Sequence, residues 1–231
     1  MPSQQPTRRQ LLRTAAAGTI SAAAAGLLAA CTTSDRESRT VTTPTTPVPS
    51  SPNRTLLVYF SRPGENYWNG GRRTLDVGNT EVLANLIRDR INCDVFRIEA
   101  ADAYSDRYDP TVARNVDEQN SDARPAIAGD LPDPAGYDTV LLGSPIWNVQ
   151  PPMIMASFVE AVDLTGKNLR PFVTYAVSGL GDTASFYRDL DSGARLGTGL
   201  AVRGEDVRGA SAGTDVDRWL RAADLAWKAT P

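Results

Sequence analysis

The chain has 231 residues, with 24 Lys and Arg against 27 Asp and Glu, a net charge of -3 and no histidine. The lack of histidine excludes Ser-His-Asp and Cys-His nucleophile systems and histidine-ligated metals. The acidic balance argues against nucleic acid as a partner, and any redox chemistry must lean on a cofactor.

Residues 1–31 read as an address rather than as structure. Thr7-Arg8-Arg9-Gln10-Leu11-Leu12-Arg13 resembles the twin-arginine export motif. An alanine-rich, mildly apolar stretch follows from Thr14 to Ala30, too short and too weakly apolar for a permanent span. It ends in Leu28-Ala29-Ala30-Cys31, which resembles the bacterial lipoprotein cleavage box, with Cys31 as the lipidated residue. The other reading is an ordinary signal with a chance cysteine.

Thr32 to Asn53 is mostly Thr, Ser and Pro and has too few apolar residues to bury a core, so the sequence predicts a disordered linker. A flexible coil of that length spans roughly 25 Å root-mean-square. Residues 54–231 are long enough for one well-cored domain. Arg8, Arg9 and Arg13 leave with the signal, so 24 cations less three, against 27 anions, give a mature charge of -6. Only Cys93 then remains beside the anchor, and an intramolecular disulfide is excluded in the domain. Cys93 reads as a buried apolar side chain, with a redox role as the alternative.

Thr55 to Ser61 is a continuous apolar run suited to a central strand buried on both faces. Asn79 to Arg90 reads as a helix capped by Asn79 or Thr80, with Val82, Leu83, Leu86 and Ile87 on one face. Cys93 to Ile98 has the mixed polarity of an edge strand, and a long crossover with a short helix at Pro110 to Asn120 leads to an apolar strand at Thr139 to Gly143. A helix from Pro152 to Val162, a strand at Leu169 to Val177, a helix at Asp182 to Leu190 and a weaker strand at Leu200 to Arg203 follow. The last helix is expected from about Thr214 to Lys228, with Thr214 and Asp217 as its capping pair and Val216, Trp219, Leu220, Ala223 and Trp227 on one stripe. Such alternation predicts an α/β fold, a doubly wound parallel five-stranded sheet with right-handed crossovers. Ligands of such sheets bind beyond the carboxyl ends of the strands, so three loops matter.

The first loop starts at Ser61-Arg62 and closes at Gly78-Asn79-Thr80, where a helix N-terminus and the Ser61, Asn79 and Thr80 side chains make a phosphate cradle. The second, Gly143-Ser144-Pro145-Ile146-Trp147-Asn148, turns sharply and offers the flat face of Trp147. The third, Ser178-Gly179-Leu180-Gly181, lets the main chain approach a planar ligand closely. Taken singly, these are also an ordinary helix cap, a core or surface tryptophan and a plain turn. Their joint position on one sheet edge gives them meaning.

On these residues the domain resembles the flavodoxin-like family over nearly all of residues 55–228. The first loop is similar to the family's Ser/Thr-rich phosphate loop, the second to its Gly-x-Pro-x-Trp segment and the third to its Ser-Gly-x-Gly segment. The departure is an insertion from Arg62 to Val77, carrying Tyr67, Trp68, Arg72 and Arg73. It resembles a branch of the family and reads as a flap, with Arg62 or Arg72 able to join the phosphate contacts. The resemblance implies strand order 2-1-3-4-5 and flavin mononucleotide (FMN) as cofactor. Ser61, Arg62, Gly78, Asn79 and Thr80 would then hold the phosphate. Ser144, Pro145, Ile146, Trp147, Asn148, Ser178, Gly179 and Gly181 would surround the ring.

Twin-arginine export carries folded proteins, which suits a cofactor acquired before export. Outside the inner membrane NAD(P)H is not expected. The expectation is therefore an electron-transfer flavoprotein anchored to the outer face of the cytoplasmic membrane, with a redox partner or quinone. Two alternatives are an FMN-dependent reductase of quinones or small molecules with its pocket under the Tyr67-Trp68 flap, and a flavin-free binding module.

Overall fold

The computed structural model describes residues 54–190, 192–225 and 227–228. The expected signal, Cys31 and the linker at 32–53 lie outside the described residues. The central sheet is built from β1 (Thr55–Phe60), β4 (Asp94–Ile98), β5 (Thr139–Pro145), β6 (Asn168–Tyr175) and an edge strand in two pieces, β7 (Arg195–Leu196) and β8 (Leu200–Arg203). All pairings are parallel in the order β4-β1-β5-β6, with β7 and β8 both on β6. Numbered by main-sheet strand, this is the expected order 2-1-3-4-5.

β1 is buried at every residue because the sheet is covered on both faces. Leu57 and Tyr59 join one core cluster with α1 (Asn79–Arg88) and α5 (Ala210–Ala222), while Leu56, Val58 and Phe60 join a second with α3 (Met153–Ala161). In α1 the spacing of Leu83, Ala84 and Ile87 puts three buried residues on one face. Each fully buried Leu or Ile there contributes about 2 kcal/mol by removal from water. α3 is apolar nearly all round and buried to match. Cys93 packs partly buried against the α1/α5 cluster, and burial pushes its thiol up to about 11.

The break in the edge strand falls at Gly197-Thr198-Gly199, and the Trp219 indole Nε1 donates to the Thr198 carbonyl at 2.9 Å. Two more helices, α2 (Tyr108–Asn120) and α4 (Thr183–Asp189), complete the layers. α2 starts two residues earlier than expected. The strand expected at Leu169 to Val177 ends at Tyr175, which leaves Ala176 and Val177 in a loop.

The last helix is a correction. It begins after Gly209 rather than at Thr214 and ends at Ala222. Asp224 adopts φ 52°, which turns the chain back, and Trp227 forms an antiparallel bridge with Ile91 instead of continuing the stripe. Asp217 is no capping partner; it pairs with Arg90.

Inside the expected insertion the chain forms an antiparallel hairpin, β2 (Gly64–Trp68) with β3 (Gly71–Leu75). Its turn residues Asn69 and Gly70 have φ of 46° and 83°, the two positive values that a type I′ turn requires.

Candidate functional site

The carboxyl ends of β1, β5, β6 and β8 open onto one edge of the sheet. There the Ser61 hydroxyl accepts the Glu81 N–H at 3.0 Å, capping α1 from a distant segment. Neither Asn79 nor Thr80 caps the helix. The Thr80 hydroxyl meets that of Thr174 on β6 at 2.8 Å, tying the first turn of α1 to the sheet. Asn79 Oδ1 accepts from Arg208 Nη1 at 2.6 Å, while Arg208 Nη2 donates to the Val77 carbonyl at 2.7 Å. That leaves the Asn79 amide N–H groups as its donors. Partial burial, and then Arg73, draw the Arg208 guanidinium below its ordinary range.

Two arginines proposed for the phosphate are engaged elsewhere. Arg72 binds both Asp109 carboxylate oxygens at 2.8 and 2.5 Å and lies over the Tyr108 ring. Arg62 donates through Nη1 to the Ser105 carbonyl at 2.9 Å and through Nη2 to the Glu65 carbonyl, and its buried Nε has no partner. Burial lowers its pKa against the pull of Asp106 and Glu65. These contacts fasten the hairpin base. Glu65 N–H donates to the Asp106 carbonyl at 2.7 Å, and Glu65 Oε2 accepts the Tyr108 N–H at 2.9 Å. At the tip, the Asn69 N–H donates to Glu205 Oε1 at 2.9 Å.

The loops after β5 and β6 lock through main-chain bonds. Ile146 N–H donates to the Thr174 carbonyl at 2.8 Å, and Asp182 N–H to the Val149 carbonyl at 2.7 Å. Gly181 has φ 50°, and a Cβ there would overlap the Val149 carbonyl oxygen, so both its conformation and its neighbour demand glycine. Val149 sits at φ 66°, a strained conformation for a β-branched residue. Gln119 of α2 steadies the turn, donating to the Trp147 carbonyl at 3.1 Å and accepting from Asn148 Nδ2 at 2.7 Å. The Trp147 ring is held edge-on by Phe60 and Tyr104, with centroids 5.7 and 5.2 Å away. The Tyr104 phenol donates to the buried Glu118 carboxylate at 2.8 Å, and burial followed by that bond holds its pKa far above the ordinary tyrosine range.

Between these parts lies a cavity of about 440 Å³, within the size range of small-molecule sites. Ser61, Arg62, Asn79 and Thr80 line one end of it; Pro145, Ile146, Trp147, Asn148 and Ser178 line another. Four of the expected residues do not line it. Gly78 lacks a Cβ because one would overlap Ser61 Oγ, so it brings the strand end and the helix start together. Ser144 is fully buried on the α3 side of the sheet, where its hydroxyl faces that of the buried Tyr187. Gly179 and Gly181 shape their loop without lining the cavity. Gly143, expected to form a sharp turn, lies within β5 and makes room for the Phe172 ring.

Sequence reading missed Arg208, which holds Asn79, and on the cavity itself the Gly204-Glu205 segment and a whole wall from α2, namely Tyr108, Thr111, Val112, Asn115 and Val116. The signal for that wall was present in their helical spacing. Among the described residues, no group of three or more His, Cys, Asp or Glu side chains is placed to hold a metal.

A family model described as Flavodoxin matches residues 76–222, more than half of the chain. The chain belongs to the flavodoxin family. Among solved structures, a protein from Bacteroides uniformis assigned provisionally as a flavoprotein is 27% identical. That match covers 74% of this chain and 99% of the other, with a TM-score of 0.59. A second such protein, from Bacteroides eggerthii, is 24% identical over 73% of this chain and 96% of its own, also at 0.59. A flavoprotein in complex with FMN from Lactobacillus acidophilus is 18% identical over 72% and 98%, at 0.51. The last two speak to the fold alone. No curated protein matches the chain. The family match begins at residue 76 and so leaves out the hairpin of the flavodoxin domain.

Proposed function

We propose that this flavodoxin domain binds FMN and passes electrons at the outer face of the cytoplasmic membrane, held there by a lipid on Cys31. The observation that carries the reading is the convergence of the α1 N-terminus with the Trp147 and Ser178 loops on one cavity.

The donor set suits the cofactor. A helix N-terminus presents unpaired N–H groups and a positive dipole end, and Asn79 adds its amide donors beside Arg208. The close approaches at Gly78 and Gly181 keep the strand ends tightly drawn together. Bound FMN would supply the electron and hydride chemistry. This chain's own residues position the ligand and exclude water: Ser61 and Asn79 at the phosphate, the locked loops around the ring, and Asn66 and Tyr67 of the hairpin along the cavity wall. Family membership supports the cofactor, and the twin arginines and lipobox support the location.

The test is to export the full chain in a twin-arginine-competent host, purify it folded and record its visible spectrum. A yellow protein that is released from membranes only by detergent is the expected result. A colourless protein that fails to take up added FMN sinks the cofactor, and a freely soluble product sinks the anchor. A second reading, reduction of a small molecule at the same site, is favoured by the cavity's α2 wall, which no phosphate or loop contact accounts for.

A further inference from the structure

Trp147 lines the cavity, and a cluster of aromatic and charged side chains lies behind it; Phe60, Tyr104 and Glu118 do not line the cavity themselves. The three rings touch one another, with centroids 5.4 Å apart for Phe60 and Tyr104, 5.7 Å for Phe60 and Trp147 and 5.2 Å for Tyr104 and Trp147. α2 fixes two of them from adjacent positions: Glu118 holds the Tyr104 phenol, and Gln119 holds the main chain of Trp147.

The charge in this cluster is more than packing requires. The Tyr104 hydroxyl donates to Glu118 Oε2 at 2.8 Å, and Glu118 Oε1 accepts from Arg114 Nε at 2.7 Å. Glu118 is only 8% exposed. A buried carboxylate is costly even when paired, whereas a main-chain carbonyl satisfies a phenol without that cost. The Arg114 guanidinium also lies 3.9 Å from the Tyr104 ring centroid, and its Nη1 is anchored on the Asp102 and Ala103 carbonyls at 2.9 and 3.2 Å.

We infer that Trp147 and Tyr104 form a one-electron relay that moves an oxidising equivalent out of the cavity, with Glu118 as proton acceptor. A one-electron oxidant in the cavity leaves the Trp147 indole a radical cation. One electron then passes from Tyr104 to that indole, and the phenolic proton passes to Glu118 Oε2. The phenolic O–H bond breaks and a carboxyl O–H bond forms; Trp147 is restored, and Tyr104 is left a neutral phenoxyl radical.

Rings in contact exchange an electron directly, and the Phe60 ring is too hard to oxidise to compete. An oxidised phenol is a strong acid, and this one is already hydrogen-bonded to a carboxylate within transfer distance. The Arg114 cation against the ring disfavours positive charge left there, so the proton leaves with the electron. The relay does not need FMN; that its oxidant is light-excited flavin in the cavity rests on the function proposed above.

The experiment takes the purified full chain, flavin-free, and generates azide radicals by pulse radiolysis, which oxidise indole in preference to phenol. Absorption of the indole radical should decay into that of the phenoxyl radical. Trp68, Trp219 and Trp227 are present in every variant, so the informative phase is the one that depends on residues 104 and 147. It should be lost in Trp147→Phe and in Tyr104→Phe, and slowed in heavy water. Glu118→Gln keeps an acceptor for the phenol but cannot take its proton, so the phase should be lost there too.

A phenoxyl signal undiminished in Trp147→Phe or in Tyr104→Phe overturns the relay, and should one of these variants fail to fold, the other decides alone. A phase that survives Glu118→Gln, or that keeps its rate in heavy water, overturns the coupled proton transfer. With FMN bound, a light flash should give the same phenoxyl signal, absent in Tyr104→Phe; a flash that gives none overturns flavin as the oxidant. Should the protein take up no FMN at all, the cofactor reading fails while the flavin-free radiolysis still decides the relay.

Discussion

Two structures border the cavity, and they are held by different kinds of bond. The loops after β5 and β6 are joined to each other and to the sheet by main-chain hydrogen bonds, from Ile146 to Thr174 and from Asp182 to Val149. The β2–β3 hairpin is held at its tip by Glu205 and at its base mostly by the Glu65, Arg62 and Arg72 side chains, with a single main-chain bond from Glu65 to Asp106. Main-chain contacts of strand ends are part of the fold and break only with it. The latches that lie in water, Arg72 with Asp109 and Asn69 with Glu205, are each worth little, so the hairpin can loosen there, around the buried Arg62, without loss of the sheet.

The sharpest way to break this contrast is at the rigid side. Gly181→Ala forces an L-residue into φ 50° and drives its Cβ onto the Val149 carbonyl. The left-handed conformation alone costs about 1–2 kcal/mol, and displacing the neighbouring loop raises the total to roughly 2–3 kcal/mol. At about 2–4 °C per kcal/mol for a domain of this size, the midpoint should fall by around 4–12 °C. Thermal unfolding that leaves the midpoint unchanged would show that the two loops are not locked.

A smaller effect is expected at the cradle. Asn79→Ala removes the amide donors and leaves Arg208 without its side-chain acceptor. FMN affinity should fall about ten-fold, close to 1.4 kcal/mol, with little change in the unfolding midpoint. Fluorescence titration of the flavin-free protein reads this directly, and unchanged affinity would place the phosphate elsewhere.

The same contrast explains what the sequence made legible. The sheet order and the three strand-end loops follow from apolar runs such as Thr55 to Phe60 and from turns beside them, because burial on two faces leaves an unambiguous pattern. The sequence reads residues 62–77 as an inserted flap without secondary structure of its own, although Asn69-Gly70 between Glu65-Asn66-Tyr67-Trp68 and Gly71-Arg72-Arg73-Thr74 is a strong type I′ signal. The hairpin strands are half-exposed and polar, so no alternation stood out. Residues placed only by tertiary contact stayed hidden. Arg208 reaches Asn79 across 129 positions, and Gly143 answers to Phe172 rather than to a turn. Asp217, spaced like a helix cap, answers to Arg90 instead.

The smallest expected effect lies at the base of the hairpin and is read by acid. Arg72 bonds to both oxygens of Asp109 in the folded chain, and that bond holds the Asp109 carboxyl below its ordinary 3.8. A carboxylate whose pKa is lowered by folding contributes its tether above the ordinary value, and the tether is lost as pH falls through the lowered one. Both side chains lie in water, so overall stability should barely respond to this pair. The local response should still be visible. Amide resonances of Gly71 to Leu75 should hold steady from pH 7 to pH 5 and move only below pH 4, whereas Ile146 and Asp182 should not follow them. In Asp109→Asn the acid-dependent movement of the hairpin should shrink. If the hairpin and the strand-end loops shift together in acid, the two sides of the cavity move as one body and the contrast between them fails.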